Sequence, residues 1–338
     1  MKKDKFPINY TSLDIVKTEK NKIKNKINKN KQLKKEDIKK NFVVIKVEYS
    51  NLNYKDFLIS RGHSGLIKKF PHTAGIDACG TICYSNSKKF KINDKVFVIA
   101  QPLGVETNGS FSEYITIPDF WVEKLPKSLT SKEIMMIGTS GFTAVKALSK
   151  SLKIILKYKN KPVLVTGALS NVGMFIIFLL TNIGINVEAV TSKKKNNTIL
   201  KKMGVTKIHI LKNLIKTHNF SILNEKYSAV FENLGGDVVS VCLKYLIRKG
   251  ILISIGNILG NISNINILPL ILREVRILGV NAESSSEKER KKIFQFFKSP
   301  RLKRKLLKRT KVINLKEVSR IMNLKAYDKK TLRYVVKI

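Results

Sequence analysis

Val163-Leu-Val-Thr-Gly-Ala-Leu-Ser-Asn-Val-Gly173 is the stretch that decides the fold, because an apolar strand pattern passes there through a glycine turn into an apolar helix. That order is typical of a dinucleotide site, in which the helix N-terminus and its unpaired N–H groups favour a pyrophosphate. The fingerprint is incomplete, since Gly167 and Gly173 are present but Ser170 replaces the middle glycine. Strand-to-helix turns also use glycine for steric reasons alone, so a purely structural turn is an open alternative.

The composition bounds the size and the partners of the protein. A chain of 338 residues with 43% hydrophobic residues is long enough for two domains, each with its own core. The 65 Lys+Arg against 24 Asp+Glu give a formal net charge of +41, which by itself indicates nucleic acid or an anionic surface. The excess is Lys spread along the whole chain with many Asn and Ile, as an A/T-rich coding bias favours. We therefore expect the protein to bind polyanions nonspecifically and in a salt-sensitive way, and to have no specific nucleic-acid partner. A nucleic-acid-associated protein is the weakest of the alternative functions.

The cysteines and the apolar segments indicate where in the cell the protein is located. Cys79, Cys83 and Cys242 form no Cys-x-x-Cys pair, and their odd number argues against a disulfide framework. The charged N-terminus is not followed by an apolar segment, so no secretory signal is expected. The stretch from Val172 to Ile185 is too short to span a bilayer and is predicted to form a buried helix. We expect a cytoplasmic protein that does not enter a membrane.

The first part of the chain predicts an irregular β domain. Residues 20–41 are dominated by Lys and Asn and are predicted to form a solvated insertion or loop, since they bury little apolar surface. They contain no aromatic residue for base stacking, which disfavours a nucleic-acid-binding arm. Strand-like runs separated by Gly and Pro follow. They are Phe42 to Val47, Ala78 to Tyr84, Lys95 to Ala100 and Phe111 to Ile117.

After Pro126 the pattern changes to alternating helices and strands. Thr130 or Ser131 is suited to cap a helix, and six strand-like runs follow, separated mostly by helical segments. That order predicts an α/β fold with a doubly wound parallel sheet. The six runs are Val163 to Thr166, Val187 to Thr191, Lys207 to Ile210, Ala229 to Glu232, Gly250 to Ile255 and Arg276 to Val280.

The C-terminal tail is predicted to return to the first domain. From Glu287 it holds a basic helix, a second helix around Leu315 to Leu324 and a final strand, Thr331 to Lys337. The predicted domains are therefore 1–136 together with 285–338, and 137–284.

Four blocks carry a resemblance to a known family. They are Ser50-Asn-Leu-Asn-Tyr-Lys-Asp56, Phe70-Pro-His-Thr-Ala-Gly-Ile-Asp77, Ile137-Gly-Thr-Ser-Gly-Phe-Thr-Ala144 and Pro269-Leu-Ile-Leu-Arg-Glu-Val-Arg276. From about Val44 to Ile338 the chain resembles the medium-chain dehydrogenase/reductase superfamily, in its zinc-free branch of acrylyl-CoA reductases, often labelled quinone oxidoreductases. The first 40 residues match poorly, where the family usually has strands.

The resemblance implies both a fold and an activity. The fold is a GroES-like irregular β-barrel domain joined to a Rossmann domain. The activity is hydride transfer from NADPH to the β-carbon of an α,β-unsaturated thioester, with acrylyl-CoA as the type substrate and a quinone as the alternative. Zinc-dependent relatives carry an early Cys and a Gly-His-Glu ligand pair, but this chain has Asn53 to Asp56 and Gly75-Ile76-Asp77 there. We therefore expect no metal site.

Tyr54 is the first catalytic candidate. By the resemblance it lies against the nicotinamide, where its phenol could donate a hydrogen bond or a proton to an enolate; a tyrosine packed at a domain edge is the alternative. Asn53 is a second candidate, as a polar contact. Asp56 is predicted to be structural and to hydrogen-bond its loop, and His63 to be merely exposed.

The cofactor is expected to be NADPH. Thr191-Ser192-Lys193 carries no acid at the end of the second Rossmann strand, and Ser192 and Lys193 could bind a ribose phosphate. Thr139 stands at a helix entrance where its hydroxyl and backbone could contact nicotinamide or substrate. The turn, this strand end and the resemblance assign cofactor contacts to Tyr54, Thr139, Gly167, Leu169, Ser170, Asn171, Val172, Gly173, Thr191, Ser192, Lys193, Lys207, Ile258, Ile271 and Asn323.

Two further expectations come from the departures and from analogy. The turn is bulkier than is usual in the family, with Leu169, Ser170 and Asn171 at its centre, so a noncatalytic descendant of the fold is an open alternative. Analogy with the family alone suggests a homodimer.

Overall fold

The structure is a computed structural model that describes residues 6–192, 197–219, 221–297, 309–323 and 333–338. The chain divides into two compact units, Met1–Thr139 with Phe294–Ile338, and Ser140–Ile293. The sequence predicted these divisions after residues 136 and 284. The chain of the first unit is therefore interrupted by the whole of the second.

The described residues form sixteen strands and nine α-helices. The strands are β1 Ile8–Lys17, β2 Ile23–Leu33, β3 Phe42–Asn51, β4 His72–Thr73, β5 Ala78–Ser85, β6 Lys95–Val98, β7 Tyr114–Pro118, β8 Glu123–Lys124, β9 Val163–Val165, β10 Val187–Thr191, β11 Val205–Ile210, β12 Tyr227–Glu232, β13 Leu246–Ser254, β14 Arg276–Gly279, β15 Thr310–Ile313 and β16 Arg333–Lys337. The helices are α1 Tyr54–Ser60, α2 Ser131–Lys157, α3 Asn171–Asn182, α4 Asn197–Lys202, α5 Leu211–Ile215, α6 Asp237–Lys244, α7 Leu268–Arg273, α8 Glu287–Phe296 and α9 Leu315–Met322.

The first unit is built on two sheets. One has the order β15-β16-β3-β5-β6-β8, with β7 also paired to β3, and the other has the order β2-β1-β4. The final strand β16 pairs antiparallel with β3, so the chain returns to this unit as predicted. Thr331 and Leu332, which begin the predicted strand, lie outside the described residues. The predicted strands from Phe42 onward are confirmed, with bounds shifted by a few residues.

The prediction of a loop over residues 20–41 is wrong. Ile23–Leu33 is strand β2, which pairs antiparallel with β1 in a register that sets Ile15 against Asn25 and Leu13 against Ile27. Leu13 and Ile15 are buried, and Ile27 packs against their cluster. The alternation of the strand leaves Lys24 and Lys26 exposed on the opposite face. Composition suggested a loop because the apolar residues are few, but they recur with the period of a strand.

The second unit is a six-stranded parallel sheet. Its order is β11-β10-β9-β12-β13-β14, and every neighbouring pair is parallel. This is the doubly wound arrangement, in which the strand order reverses between β9 and β12. The predicted fold is therefore confirmed. The central strands β9, β10 and β12 are buried along their whole length, as their continuous apolar runs predict.

The apolar segment after the glycine turn is a buried helix, as predicted. In α3, every residue from Phe175 to Leu180 is buried. Within the described ranges, we find no helix with the length and hydrophobicity needed to cross a bilayer.

Helix α2 is interrupted at Gly138. Its φ of 54° and ψ of −167° form a conformation that is nearly restricted to glycine. A Cβ atom there would lie 2.2 Å from Asn51 Nδ2, 2.3 Å from Arg333 Nη2 and 2.7 Å from Asp77 Oδ2. Both the backbone and the packing of three polar side chains therefore require glycine at this position.

We expect Gly138→Ala to lower the free energy of unfolding by about 3 kcal/mol or more, because it adds steric overlap to backbone strain. The matched control is Gly184→Ala. Gly184 also has a positive φ, 76°, but nothing lies within 4 Å of the position that its Cβ would take. This control should lose only about 1–2 kcal/mol. Urea unfolding measures both, and equal losses would contradict the steric explanation.

Candidate active site

Tyr54 is the first residue of helix α1. The preceding residue, Asn53, has extended backbone angles and is the N-cap of the helix. The Tyr54 side chain is 36% exposed and stacks on Phe57, with ring centroids 6.4 Å apart. The phenol is therefore partly accessible to a ligand while its ring is supported by the helix.

Asn53 is buried and hydrogen-bonds to other residues of the first unit. Its backbone N–H donates to Asp56 Oδ2 at 2.8 Å. Its side-chain Nδ2 donates to Asn51 Oδ1 and, at 3.1 Å, to Asp77 Oδ2. The amide thus fixes the start of the helix that carries Tyr54.

Asp56 ties this helix to the loop that follows β4. Its Oδ1 accepts the backbone N–H groups of Gly75 at 3.0 Å and Ile76 at 2.9 Å, and its Oδ2 accepts that of Asn53. The structural role predicted for Asp56 is confirmed. Burial raises the pKa of this fully enclosed carboxyl to about 7, and the three N–H donors oppose that rise.

Asp77 lies at the centre of the polar network in the first unit. Its Oδ2 accepts from Asn51 Nδ2 at 2.9 Å, from Asn53 Nδ2 and from the backbone N–H of Thr139 at 2.8 Å. Its Oδ1 accepts from the Thr139 hydroxyl. That hydroxyl in turn accepts the backbone N–H of Ala100 at 2.8 Å. Two predicted site residues, Asn53 and Thr139, therefore both hydrogen-bond to the carboxylate of Asp77. In the sequence, Asp77 is distinguished only by standing in one of the two segments where zinc-dependent relatives have ligands.

The two segments that stand where zinc-dependent relatives have ligands thus form a hydrogen-bonded network. In the described part of the chain, no three His, Cys, Asp or Glu side chains are grouped so that they could hold a metal ion.

In the second unit, the glycine turn joins β9 to α3 by a close approach of the backbone. Gly167 adopts a φ of 56°. A Cβ on Gly173 would lie 2.6 Å from the carbonyl oxygen of Gly167, so the turn and the helix approach too closely for a side chain. Ser170 is the N-cap of α3, and its hydroxyl accepts the backbone N–H of Gly173 at 3.0 Å.

Two backbone N–H groups of this turn are candidates for binding an anion such as a pyrophosphate. The first N–H groups of a helix have no intrahelical acceptor, so those of Asn171 and Val172 at the N-terminus of α3 are suited to an anion. The N–H of Gly173 is occupied by the Ser170 hydroxyl. Ser170 therefore changes the site in two ways. Its side chain narrows the approach of a phosphate to the backbone, and its hydroxyl occupies the N–H of Gly173.

The carboxyl edge of the parallel sheet brings several predicted residues together. Thr191 is the buried last residue of β10, Ser192 is exposed just after it, and Ile258 lies half-buried in the loop after β13. These lie on the same edge as the glycine turn after β9. Lys193 falls outside the described residues.

Three other predicted contact residues belong to other elements, and their contact with a cofactor stays a prediction. Lys207 is paired with Glu188 in the sheet, three residues before the end of β11 and so about 10 Å from the carboxyl edge. Ile271 is on α7 and is 64% exposed. Asn323 follows α9 in the first unit, where its Oδ1 accepts from Asn25 Nδ2 at 2.9 Å.

A polar group that the sequence analysis missed also lies on the carboxyl edge. Glu232 ends β12 and accepts from Thr166 Oγ1 at 3.0 Å and from the N–H of Leu234 at 2.7 Å. The next residue, Asn233, is buried, and its Oδ1 has no hydrogen-bond partner within the described ranges. Its Cβ lies 3.2 Å from the position that a Cβ on Gly167 would take. The Gly235-Gly236 pair after a predicted strand was the available signal for this loop.

Comparison with known proteins agrees with this architecture. The family model of the alcohol dehydrogenase GroES-like domain matches residues 39–127, and that of the zinc-binding dehydrogenase matches residues 171–299. The putative quinone oxidoreductase YhfP of Bacillus subtilis is 31% identical over 75% of this chain and 76% of its own length. The acrylyl-CoA reductase AcuI of Ruegeria pomeroyi has the same identity and coverage.

Solved structures extend the likeness over nearly the whole chain. The crystal structure of YhfP with NAD bound has a TM-score of 0.88 at 26% identity and covers 98% of this chain and 100% of its own. The yhdH oxidoreductase of Salmonella enterica in complex with NADP has a TM-score of 0.87 at 23% identity, covering 97% and 99%.

The raised pKa of Asp56 makes stability depend on pH. Between about pH 4 and pH 7 the folded chain keeps a proton that the unfolded chain, with an ordinary pKa of 3.8, has released. The contribution of Asp56 to the free energy of unfolding therefore falls as the pH rises through this window. We expect the stability of the natural protein relative to Asp56→Asn to fall, on the order of 2 kcal/mol, from about pH 5 to about pH 8. Urea unfolding at both pH values measures this, with the exposed Asp37→Asn as control; a pH-independent difference would refute it.

Proposed function

The chain belongs to the zinc-free branch of the medium-chain dehydrogenase/reductase superfamily, and from that membership we propose that it reduces an activated carbon–carbon double bond with NADPH. The proposed reaction converts acrylyl-CoA to propanoyl-CoA. The observation that carries the proposal is the 31% identity to an acrylyl-CoA reductase over three-quarters of both chains. When bound, NADPH supplies the hydride for the β-carbon of the substrate.

The preference for NADPH rests on residues of this chain. No carboxylate follows Thr191 that would accept ribose hydroxyls and repel a phosphate. The exposed Ser192 would hold the ribose phosphate, and the turn from Gly167 to Gly173 would hold the pyrophosphate. The NADP complex of the Salmonella protein agrees with this preference, whereas the NAD complex of YhfP makes NADH the cofactor to test against it.

Tyr54 is proposed as the residue that acts on the substrate. Negative charge develops on the thioester oxygen as the β-carbon receives hydride, and a phenol donating to that oxygen would stabilise it. The α-carbon then needs a proton, which the same phenol could deliver and regain from solvent, since its side chain is partly exposed. Thr139 and the buried Asn53 are proposed to orient the reacting groups rather than to exchange protons.

Two alternatives have support of their own. The name of YhfP favours a quinone as the acceptor. The Ser170 cap on the Gly173 N–H favours a descendant that has lost cofactor binding.

We further propose a homodimer by analogy with the family, and a cytoplasmic location because Cys79, Cys83 and Cys242 are free thiols.

We expect purified protein to consume NADPH when acrylyl-CoA is added, with a loss of nicotinamide absorbance and the formation of propanoyl-CoA. NADH in place of NADPH should give a lower kcat/KM. A benzoquinone assayed in parallel distinguishes the quinone alternative. Calorimetric titration with NADPH distinguishes an enzyme from a noncatalytic descendant. Folded protein that binds no NADPH would leave only the noncatalytic descendant.

We expect Tyr54→Phe to lower kcat by roughly 10²-fold, because it removes the proposed hydrogen bond or proton. The dissociation constant of NADPH should stay within about twofold, since the aromatic ring is retained. Tyr84→Phe, on strand β5, is the matched control and should match the natural protein. Equal effects on turnover and on NADPH affinity would reduce Tyr54 to a binding residue.

A further inference from the structure

We propose that Asp77 is a positioning residue, whose carboxylate sets the placement of Tyr54 through Asn53 and the placement of Thr139 directly. The inference rests on the proposed function, in which Tyr54 and Thr139 act on substrate and cofactor. Asp77 itself is fully buried, so it acts through these neighbours and not by touching the substrate.

Three segments of the first unit converge on this carboxylate. They are the end of β3 at Asn51, the start of α1 at Asn53, and the backbone just after the interruption of α2, at Thr139. Each donates at least one hydrogen bond of 2.8–3.1 Å to Oδ2. The Cβ position of Gly138 is closed by the same carboxylate oxygen, at 2.7 Å. Asp77 therefore fixes the point at which α2 changes direction.

The network requires a carboxylate. All four donors are N–H or O–H groups, so both oxygens of Asp77 must act as acceptors. An asparagine of the same shape would offer one acceptor oxygen and one NH₂ group. With its oxygen toward the three N–H donors, it would lose the hydrogen bond that the Thr139 hydroxyl donates. Hydrogen bonds to an ionised group are also stronger and shorter than neutral ones, which holds the three segments more tightly.

Thr139 has its hydroxyl direction set by this arrangement. The hydroxyl donates to Asp77 Oδ1 and accepts from the Ala100 N–H, and rotation about its side chain would break both bonds. On the other side, the Asn53 side chain is held by Asp77 while its backbone N–H is held by Asp56. Since Tyr54 is the next residue, the direction in which its ring leaves the helix N-terminus is set by these two carboxyl groups.

The test is Asp77→Asn, with Asp14→Asn as the matched control. Asp14 is also buried in the first unit and accepts from Ser12, Thr73 and Asn28, but it is a residue of β1 that pairs with β4, and none of these donors belongs to the Asp77 network. At a temperature where both variants are folded, we expect Asp77→Asn to lower kcat about tenfold or more, with the NADPH dissociation constant within about twofold. Asp14→Asn should lose stability and keep its kcat.

A double-mutant cycle distinguishes positioning from general stabilisation. If Asp77 acts through Tyr54, Asp77→Asn should lower kcat by about twofold or less in a Tyr54→Phe background. Independent, multiplying effects would overturn the proposal, as would a folded Asp77→Asn variant with natural kcat. If Asp77→Asn fails to fold, Asn51→Ala removes one donor to Asp77 and the acceptor of Asn53, and the same cycle is run with it.

Hydrogen exchange provides a readout that needs no activity. We expect Asp77→Asn to speed exchange in residues 53–57 and at Thr139, and Asp14→Asn to leave these segments unchanged. Unchanged exchange in Asp77→Asn would overturn the proposal. Natural protein that turns over neither substrate class would instead refute the proposed function, while the exchange data would still decide the role of Asp77.

Discussion

A carboxyl group removed from water needs hydrogen-bond partners, and the first unit is organised around two such groups. Asp56 and Asp77 are both fully buried, and Asn53 donates to each, with its backbone to one and its side chain to the other. The residues that supply the donors come from β3, α1, the loop before β5 and the point where α2 is interrupted. Because each donor has a fixed direction, the two carboxyl groups constrain how these segments meet.

The second unit depends on close approach of the backbone instead of on buried charge. Gly173 allows the first turn of α3 to lie against the carbonyl of Gly167, and the positive φ of Gly167 turns the chain between strand and helix. Ser170 fits this frame because a serine at the N-cap stabilises a helix by accepting one of its first N–H groups. The serine in place of the middle glycine therefore suits the local structure. It removes one backbone N–H from those that could bind an anion, and it stabilises the N-terminus of α3.

Much of the fold could be predicted because its signals are local. The apolar runs at Val163 to Thr166 and Val187 to Thr191, each followed by a helical pattern, are sufficient to predict parallel strands, and the structure confirms them. Strand β2 was missed because its alternating isoleucines are few and its lysines dominate the composition. The hub at Asp77 could not be predicted, since its donors come from positions 51, 53 and 139. Contacts so distant in sequence leave no periodicity. The Oδ1 of Asn233, for which the described part of the chain supplies no hydrogen-bond partner, could not be predicted from the sequence either.

The pairing of β16 with β3 has a consequence for synthesis on the ribosome. The second unit is one continuous segment, Ser140–Ile293, and can close as soon as it has emerged. The first unit lacks β16, Arg333–Lys337, which lies between β15 and β3, until that segment has been translated. The unit whose translation begins first is therefore completed after the other. Until then, the end of β3 at Tyr49, Ser50 and Asn51, which lies beyond the part that pairs with β7, is an unpaired strand edge.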